Sequence, residues 1–335
     1  MRDLQGDVGL RPMEQKEKAF NCVVLLGPTA VGKTALGVRI AKRFGWEIIS
    51  ADSRQTYRGL DIGSGKDLAD YDLDDGSGKI THIPYHLIDV ADLGQEYNVF
   101  NFQQDFYDEF RNQCAKNLVP FVVGGTGMYI DSVVRGYDFV PVPENPVLRA
   151  ELDGKSLEEL DEMLLSLKDN LHNKSDLLLR ERVVRAIEIE LYMRSPECVA
   201  AREKMGKRPE IRAFVLGTTL ERDEIRKNIE IRLRQRLDEG MIDEVRNLHG
   251  NGVSWERLEK LGLEYRFISL FLEGKLSRDE MYSQLYHAIC QFAKRQETWF
   301  RGMERKGVKI NWLPRVNDRA TRLDAAFSML EEAGF

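Results

Sequence analysis

Short apolar runs alternate along this chain with stretches whose apolar residues recur every three or four positions. The runs are Cys22–Leu26, Glu47–Ser50, His86–Val90, Pro120–Val123, Ala213–Gly217 and Val308–Trp312. Between the first four lie a helical pattern beginning after Thr34 and an amphipathic stretch, Phe100–Asn117. Apolar runs this short, separated by helices, are what a parallel sheet covered on both faces requires, because its strands have no polar side. Ligands of such sheets bind at the carboxyl ends of the strands. Further along, Ile225, Ile229, Leu233, Leu237, Met241, Val245 and Leu248 form a one-face stripe that predicts one long helix. A second helical pattern spans Asp279 to about Glu304.

The segments between these patterns divide the chain. Residues 1–20 are polar and mixed in charge, and read as a loose N-terminal extension. Tyr71–Lys79 is an acidic, glycine-containing loop, and Val140–Pro146 is a proline-rich hinge. A helical region follows the hinge before the chain returns to strand at Ala213. The expected fold is therefore an α/β parallel sheet flanked by helices, built from 21–144 and 211–335, with an all-helical insertion at 145–210. A length of 335 residues accommodates two such units.

Composition adds little beyond an ordinary globular protein, with 42% hydrophobic and 31% charged residues. A net charge of −6 argues against nucleic acid coating the whole surface, yet residues 180–312 hold 27 Lys and Arg against 22 Asp and Glu. Nucleic-acid contacts belong in that half if anywhere. The four cysteines, Cys22, Cys114, Cys198 and Cys290, form no C-x-x-C pair and read as buried free thiols of a reducing compartment. The start of the chain lacks a signal-peptide pattern, and the run at Val23 is too short to span a membrane. The cytoplasm is the expected location.

The chemistry centres on Gly27, Pro28, Thr29, Ala30, Val31, Gly32, Lys33 and Thr34. This is G-x-x-x-x-G-K-[ST], the P-loop, with a strand before it and a helix after it. Glycines let the backbone curl so that N–H groups converge on a phosphate, and the helix N-terminus adds partial positive charge. Lys33 would reach a terminal phosphate and Thr34 would ligate Mg²⁺. The motif specifies a bound polyphosphate but not its fate.

Three further stretches carry candidate chemistry. Asp52 lies just past the second strand, where a carboxylate serves as a general base, a Mg²⁺ partner or a helix N-cap. Gln55 either reads an adenine edge or is simply solvated. Gly124-Gly-Thr126-Gly-Met-Tyr129 follows the fourth strand, and its glycines allow close approach of a ligand or make a plain strand-to-helix turn. Arg222, after the Ala213–Gly217 strand, is placed to clamp a leaving phosphate. Lys294, Arg295 and Arg301, with Trp299 and Tyr286, suit an RNA surface or a solvated helix face. His82 and His86 have no acidic partner at ligand spacing and read as structural.

Taken in order, these pieces resemble the tRNA dimethylallyltransferase (tRNA isopentenyltransferase) family, bacterial type. The match runs through Gly27–Thr34, Asp52–Gly63, Pro84–Asp89, Gly124–Tyr129, Arg182–Glu188, Glu239–Val245 and Lys294–Arg301, from about Asn21 to Leu313. The resemblance implies a P-loop NTPase-like core reused for a prenyl diphosphate. It also implies transfer of a dimethylallyl group to N6 of the adenosine 3′ of the anticodon in tRNA. On that basis Asp52 is the base, Arg222 assists at the diphosphate, and Thr29 lies between donor and acceptor. Gly27–Thr34 would bind diphosphate, with Mg²⁺ on Thr34. Ser53, Arg54, Gln55, Thr126, Arg182, Arg185, Tyr265, Arg266, Lys294 and Arg295 would meet tRNA, and the insertion would grip the anticodon stem.

This chain departs from the family pattern at three places. Asn228 stands where an arginine is common, Glu264 where a glycine is common, and the segment 173–181 is altered. All three bear on anion or RNA binding and not on reaction type. The alternatives are a cytokinin-type enzyme prenylating free adenine nucleotides, a P-loop small-molecule kinase, and a P-loop switch without turnover. The helical insertion and the basic C-terminal helix favour tRNA over the first of these. A monomer is expected, since no long exposed apolar stripe is left unassigned.

Overall fold

The structure, a computed structural model, describes residues 19–74, 77–167 and 179–335. Six parallel strands form the sheet: β1 (Cys22–Leu26), β2 (Ile48–Ala51), β5 (Tyr85–His86), β6 (Phe121–Gly124), β7 (Ala213–Gly217) and β8 (Ile310–Trp312). Their spatial order is β5-β2-β6-β1-β7-β8, while β3 (Asp72–Asp74) and β4 (Ile80–His82) make a separate antiparallel ribbon. Every residue of β1 is buried, as an apolar central strand must be. Cys22, Val24 and Leu26 face one core with Phe102, Phe106 and Phe300. Val23 and Leu25 face the opposite core with Leu36, Ile40, Ala326 and Leu330.

The helices follow from local signals. Helix α1 (Lys33–Phe44) buries Leu36, Val38 and Ile40 and stops at Gly45, whose φ of 68° suits the left-handed cap. Helix α2 (Val99–Ala115) starts at Asn98, which forms a reciprocal capping box with Asn101. After α3 (Gly127–Val134) and the hinge come α4 (Pro146–Asp153), α5 (Leu157–Leu167), α6 (Arg180–Met193) and α7 (Pro196–Met205). Leu152, Leu160, Leu164, Val183 and Ile187 give the helices after the hinge a small core of their own.

The second half is helical around β7 and β8: α8 (Arg222–Asp238), α9 (Met241–Gly250), α10 (Trp255–Lys260), α11 (Leu263–Leu272), α12 (Arg278–Arg305) and α13 (Arg319–Glu332). The stripe from Ile225 to Leu248 is two helices, not one. Gly240, at φ 100°, breaks it, and both halves pack into one cluster with Tyr265, Met281 and Leu285. The expected strand at His86–Val90 pairs only through Tyr85 and His86, because Leu87 and Asp89 take left-handed backbone at φ 61° and 57°. All four cysteines are free, but Cys114 is exposed and Cys290 half-buried, so burial holds only for Cys22 and Cys198. Most of the N-terminal extension, and the 173–178 part of the altered segment, lie outside the described residues.

Candidate active site

Strand β1 lies between β6 and β7, and β2 lies beyond β6, so the loops leaving β1, β2 and β6 share one edge of the sheet. The loop after β1 curls through Ala30 at φ 63° and Gly32 at φ 78°. Gly27 cannot be replaced, because a Cβ there would stand 2.2 Å from the Thr218 carbonyl oxygen. Side chains from distant elements brace the loop. Asn228 on α8 donates to the Ala30 carbonyl at 3.1 Å, and Arg322 on α13 donates to that of Val31 at 2.7 Å. Gln296 on α12 accepts from the Thr29 N–H at 2.8 Å and donates to the Gly125 carbonyl at 2.8 Å.

These elements enclose a cleft of about 570 Å³ lined by the P-loop, Asp52, Gln55, Asn228, Arg232 and Gln296, with Arg39, Arg319 and Arg322 on its wall. Lys33 is held at its floor by a 2.6 Å bond from Nζ to the Pro28 carbonyl. Burial pushes its ammonium down to about 7; Asp52 opposes that shift, and Arg232 and Arg54 add to it. Arg232 donates to the Thr29 hydroxyl, and burial, with Arg236 and Arg54 nearby, lowers its guanidinium to about 9. Lys33 and Arg232 converge on the P-loop, whose curled backbone suits a bound anion, while Asp67, Asp70, Asp72 and Asp74 line another part of the cleft.

Asp52 follows β2, faces the same cleft, and is about four-fifths buried, its side chain 19% exposed. Its Oδ1 accepts from the Arg54 backbone N–H at 3.1 Å and lies 3.6 Å from the Arg54 Nε. Ser53 gives its N–H to the Thr126 hydroxyl at 2.9 Å, joining the loops after β2 and β6. Gln55 accepts from Ser50 Oγ at 3.1 Å and donates to the Gly65 carbonyl at 3.0 Å, so its amide is fixed in the cleft wall. Arg54 lies over the Phe292 ring at 5.3 Å, and Arg295 lies 5.9 Å from the same ring. Lys294, Arg295, Arg266 and Arg182 are exposed. The hydroxyl of Thr34 and the carboxylate of Asp52 face the cleft together, a hard-oxygen donor set of the kind Mg²⁺ takes alongside water and phosphate.

Three expected site residues stand elsewhere. Arg222 begins α8 in solvent, outside the cleft; the arginine of that helix that lines the cleft is Arg232. Ten residues on, the helix has advanced ~15 Å and carries the side chain back over the loop. Tyr265 is fully buried, and its hydroxyl donates to Glu244 at 2.8 Å, so it presents nothing to a partner. Glu244 in turn accepts the N–H groups of Asp61, Ile62 and Gly63, making a structural clamp that joins two of the recognised motifs to Tyr265. Arg185 spends its guanidinium on Glu188 at 2.9 Å and the Val142 carbonyl at 2.7 Å, tying α6 to the hinge.

Sequence reasoning passed over Gln296, Arg232 and Arg322. Gln296 did leave a trace: it falls on the buried stripe Ile289, Ala293, Gln296, Phe300, where a lone polar residue needs partners. For Arg322 there was none, since no helix was expected past Trp312.

A phosphate loop at the carboxyl edge of a parallel sheet, with Lys33 and Arg232 beside it and the Asp52 carboxylate in the same cleft, defines a P-loop protein that does chemistry on a phosphorylated substrate. Comparison with known proteins narrows this. Residues 55–303 match the family described as IPP transferase, and residues 20–73 match isopentenyl transferase. The chain belongs to the IPP transferase family. It is 50% identical over 295 residues to tRNA dimethylallyltransferase 2 of Treponema denticola, covering 88% of this chain and 95% of that one. It is 50% identical over 293 residues to tRNA dimethylallyltransferase 1 of Geotalea uraniireducens, covering 88% and 92%. Among solved structures, the full-length tRNA isopentenylpyrophosphate transferase of Bacillus halodurans superposes with a TM-score of 0.64 at 27% identity, over 93% of this chain and 96% of that one.

Proposed function

We propose that this protein transfers a dimethylallyl group from dimethylallyl diphosphate to N6 of the adenosine 3′ of the anticodon in tRNA, releasing diphosphate. The observation that carries the reading is the placement of Asp52 in one cleft with Lys33, Arg232 and the P-loop. The exocyclic amine of adenine is a poor nucleophile, its lone pair being delocalised into the ring. As N6 bonds to the allylic carbon, the carbon–oxygen bond breaks and its electron pair leaves with the diphosphate. Asp52 takes the N6 proton and later yields it to water. The loop N–H groups, Lys33 and Arg232 meet the charge growing on the leaving group. Thr29, its hydroxyl held by Arg232, lies between the two reactants.

Mg²⁺, held by Thr34, water and the diphosphate, would neutralise part of that charge when bound. An adenine stacked in an anticodon loop must be flipped out to reach Asp52. Ser53, Gln55 and Thr126 line its path, the exposed Lys294, Arg295 and Arg266 meet the RNA backbone, and α4–α7, carrying Arg182, grip the stem. Among the described residues no helix is long and apolar enough to cross a membrane. The test is transfer of labelled dimethylallyl diphosphate to an unmodified anticodon stem-loop and, in parallel, to AMP. Label on the stem-loop alone, lost in Asp52→Ala while diphosphate binding is kept, is the expected result. Label on AMP alone would reassign the chain to cytokinin-type synthesis.

A further inference from the structure

The amino edge of the sheet, opposite the cleft, carries a second cluster of potential ligands. Glu47 immediately precedes β2 and Asp52 follows it, so the two carboxylates stand ~16 Å apart along the strand direction. His86 on β5 places its Nε2 2.7 Å from Glu47 Oε2 and 3.4 Å from Glu109 Oε1 on α2. One ligand atom from each of these three residues lies within 4.8 Å of the others, and all three residues are half-buried. The sequence concealed the cluster because its members are separated by 39 and 23 positions and come from three elements.

We infer that Glu47, His86 and Glu109 form a binding site for a late first-row divalent cation, Zn²⁺ above all. Bonds of about 2.0–2.2 Å place tetrahedral ligand atoms roughly 3.3 Å apart, against the 2.7 and 3.4 Å that now separate His86 Nε2 from the two carboxylates. Two carboxylates and a neutral imidazole balance a doubly charged ion, and the imidazole selects against Mg²⁺ and Ca²⁺. An ion entering here would take the place of the hydrogen bond between His86 and Glu47. Gln113 supplies an independent sign. It is fully buried, its Nε2 donates to Glu109 Oε1 at 3.0 Å, and its own Oε1 has no partner. A water completing the coordination sphere would give that buried oxygen its donor. Lys116, 3.4 Å from Glu47 Oε2, is the competing cation, but its side chain is 47% exposed and free to swing into solvent.

The site would fasten an element with little else to hold it. Strand β5 pairs through only two residues at the edge of the sheet. Just beyond it, Asp89 and Val90 donate their N–H groups to the Gln55 and Thr56 carbonyls at 3.1 and 2.8 Å, which ties this edge to the cleft wall. The test is equilibrium dialysis of metal-free, tag-free full-length protein against Zn²⁺ in excess Mg²⁺, with melting curves and the visible spectrum of the Co²⁺ form. One equivalent should bind and raise Tm, and Co²⁺ should give tetrahedral bands. In His86→Gln the affinity should fall at least about a hundredfold and the Tm gain should vanish. Glu109→Gln, which leaves the imidazole intact, is the second variant should His86→Gln fail to fold. Absence of binding to the wild type, or binding undiminished in the folded variants, would overturn the assignment.

Discussion

Arg54 and Glu264 form an ion pair at 3.3 Å, the glutamate 2% and the arginine 15% exposed at the side chain. Glu264 occupies a position where a glycine was expected from the family pattern, and Arg54 stands beside the candidate base, 3.6 Å from Asp52. Burial pulls the Arg54 guanidinium down, but Asp52 and Glu264 together outweigh it and the net shift is upward. The glutamate thus shares a cation that would otherwise fall to Asp52 alone. In Glu264→Gln, Arg54 turns fully to Asp52 and occupies the carboxylate that must take the N6 proton. Single-turnover transfer should slow about tenfold while the affinity for dimethylallyl diphosphate stays within about twofold. An unchanged rate would mean that Asp52 never competes for Arg54.

Gln296 spans two backbones with one amide, accepting from Thr29 and donating to Gly125. Gln296→Leu keeps the volume but leaves a buried N–H and a buried carbonyl without partners, at a cost of about 1–3 kcal/mol each. The P-loop then loses its register against the loop after β6. Diphosphate affinity and transfer rate should both fall, roughly ten- to a hundredfold, with a lower Tm. Gly125→Ala tests the same contact from the other side, since its Cβ would stand 2.7 Å from Gln296 Nε2 and 3.3 Å from Lys33 Nζ. Parallel losses in the two variants, read by calorimetry and single-turnover kinetics, are the expected pattern.

What could be read from sequence, and what could not, follows physical lines. Strands β1 and β7 were bounded correctly because each is an apolar run ended by a glycine or a loop. The P-loop was legible because its function needs particular residues at consecutive positions. The helix break at Gly240 was not, because the apolar period continues across it. Site residues supplied from far along the chain were the hardest. Arg232, Gln296 and Arg322 reach the loop from α8, α12 and α13, and only the packing of those helices brings them there. Arg185 and Tyr265 show the complementary case: a residue that the family pattern assigns to the substrate can spend its polar atoms on the fold.

Arg222 and Arg232 separate an expectation from an observation. Arg222 is solvated on the first turn of α8, whereas Arg232 is half-buried, lines the cleft and holds Thr29. Arg222→Ala should leave diphosphate binding within about twofold, as exposed charges at a distance contribute little. Arg232→Ala should weaken it roughly ten- to a hundredfold, the range of a lost charge-assisted contact in a desolvated site. Titration calorimetry with dimethylallyl diphosphate distinguishes them. The reverse order would show that the loop closes over a different arginine when substrate is bound.

Lys33 makes anion binding a proton-linked event. Burial lowers its ammonium to about 7 in the free cleft, far below an ordinary lysine. A bound diphosphate supplies the missing counter-charge and raises the pKa, so the complex keeps a proton that the free protein has given up. The sign follows directly. Below pH 6 the amine is charged in both states and binding takes up no proton on its account. Near pH 7 about half a proton should be taken up, and near pH 8 about one, so affinity should fall by up to about tenfold per pH unit above 7. Calorimetry in two buffers of different ionisation enthalpy measures the uptake, and Lys33→Gln subtracts any titration of the diphosphate itself. Equal proton uptake by wild type and variant at pH 8 would mean that the lysine is already charged before the substrate arrives, held so by Asp52.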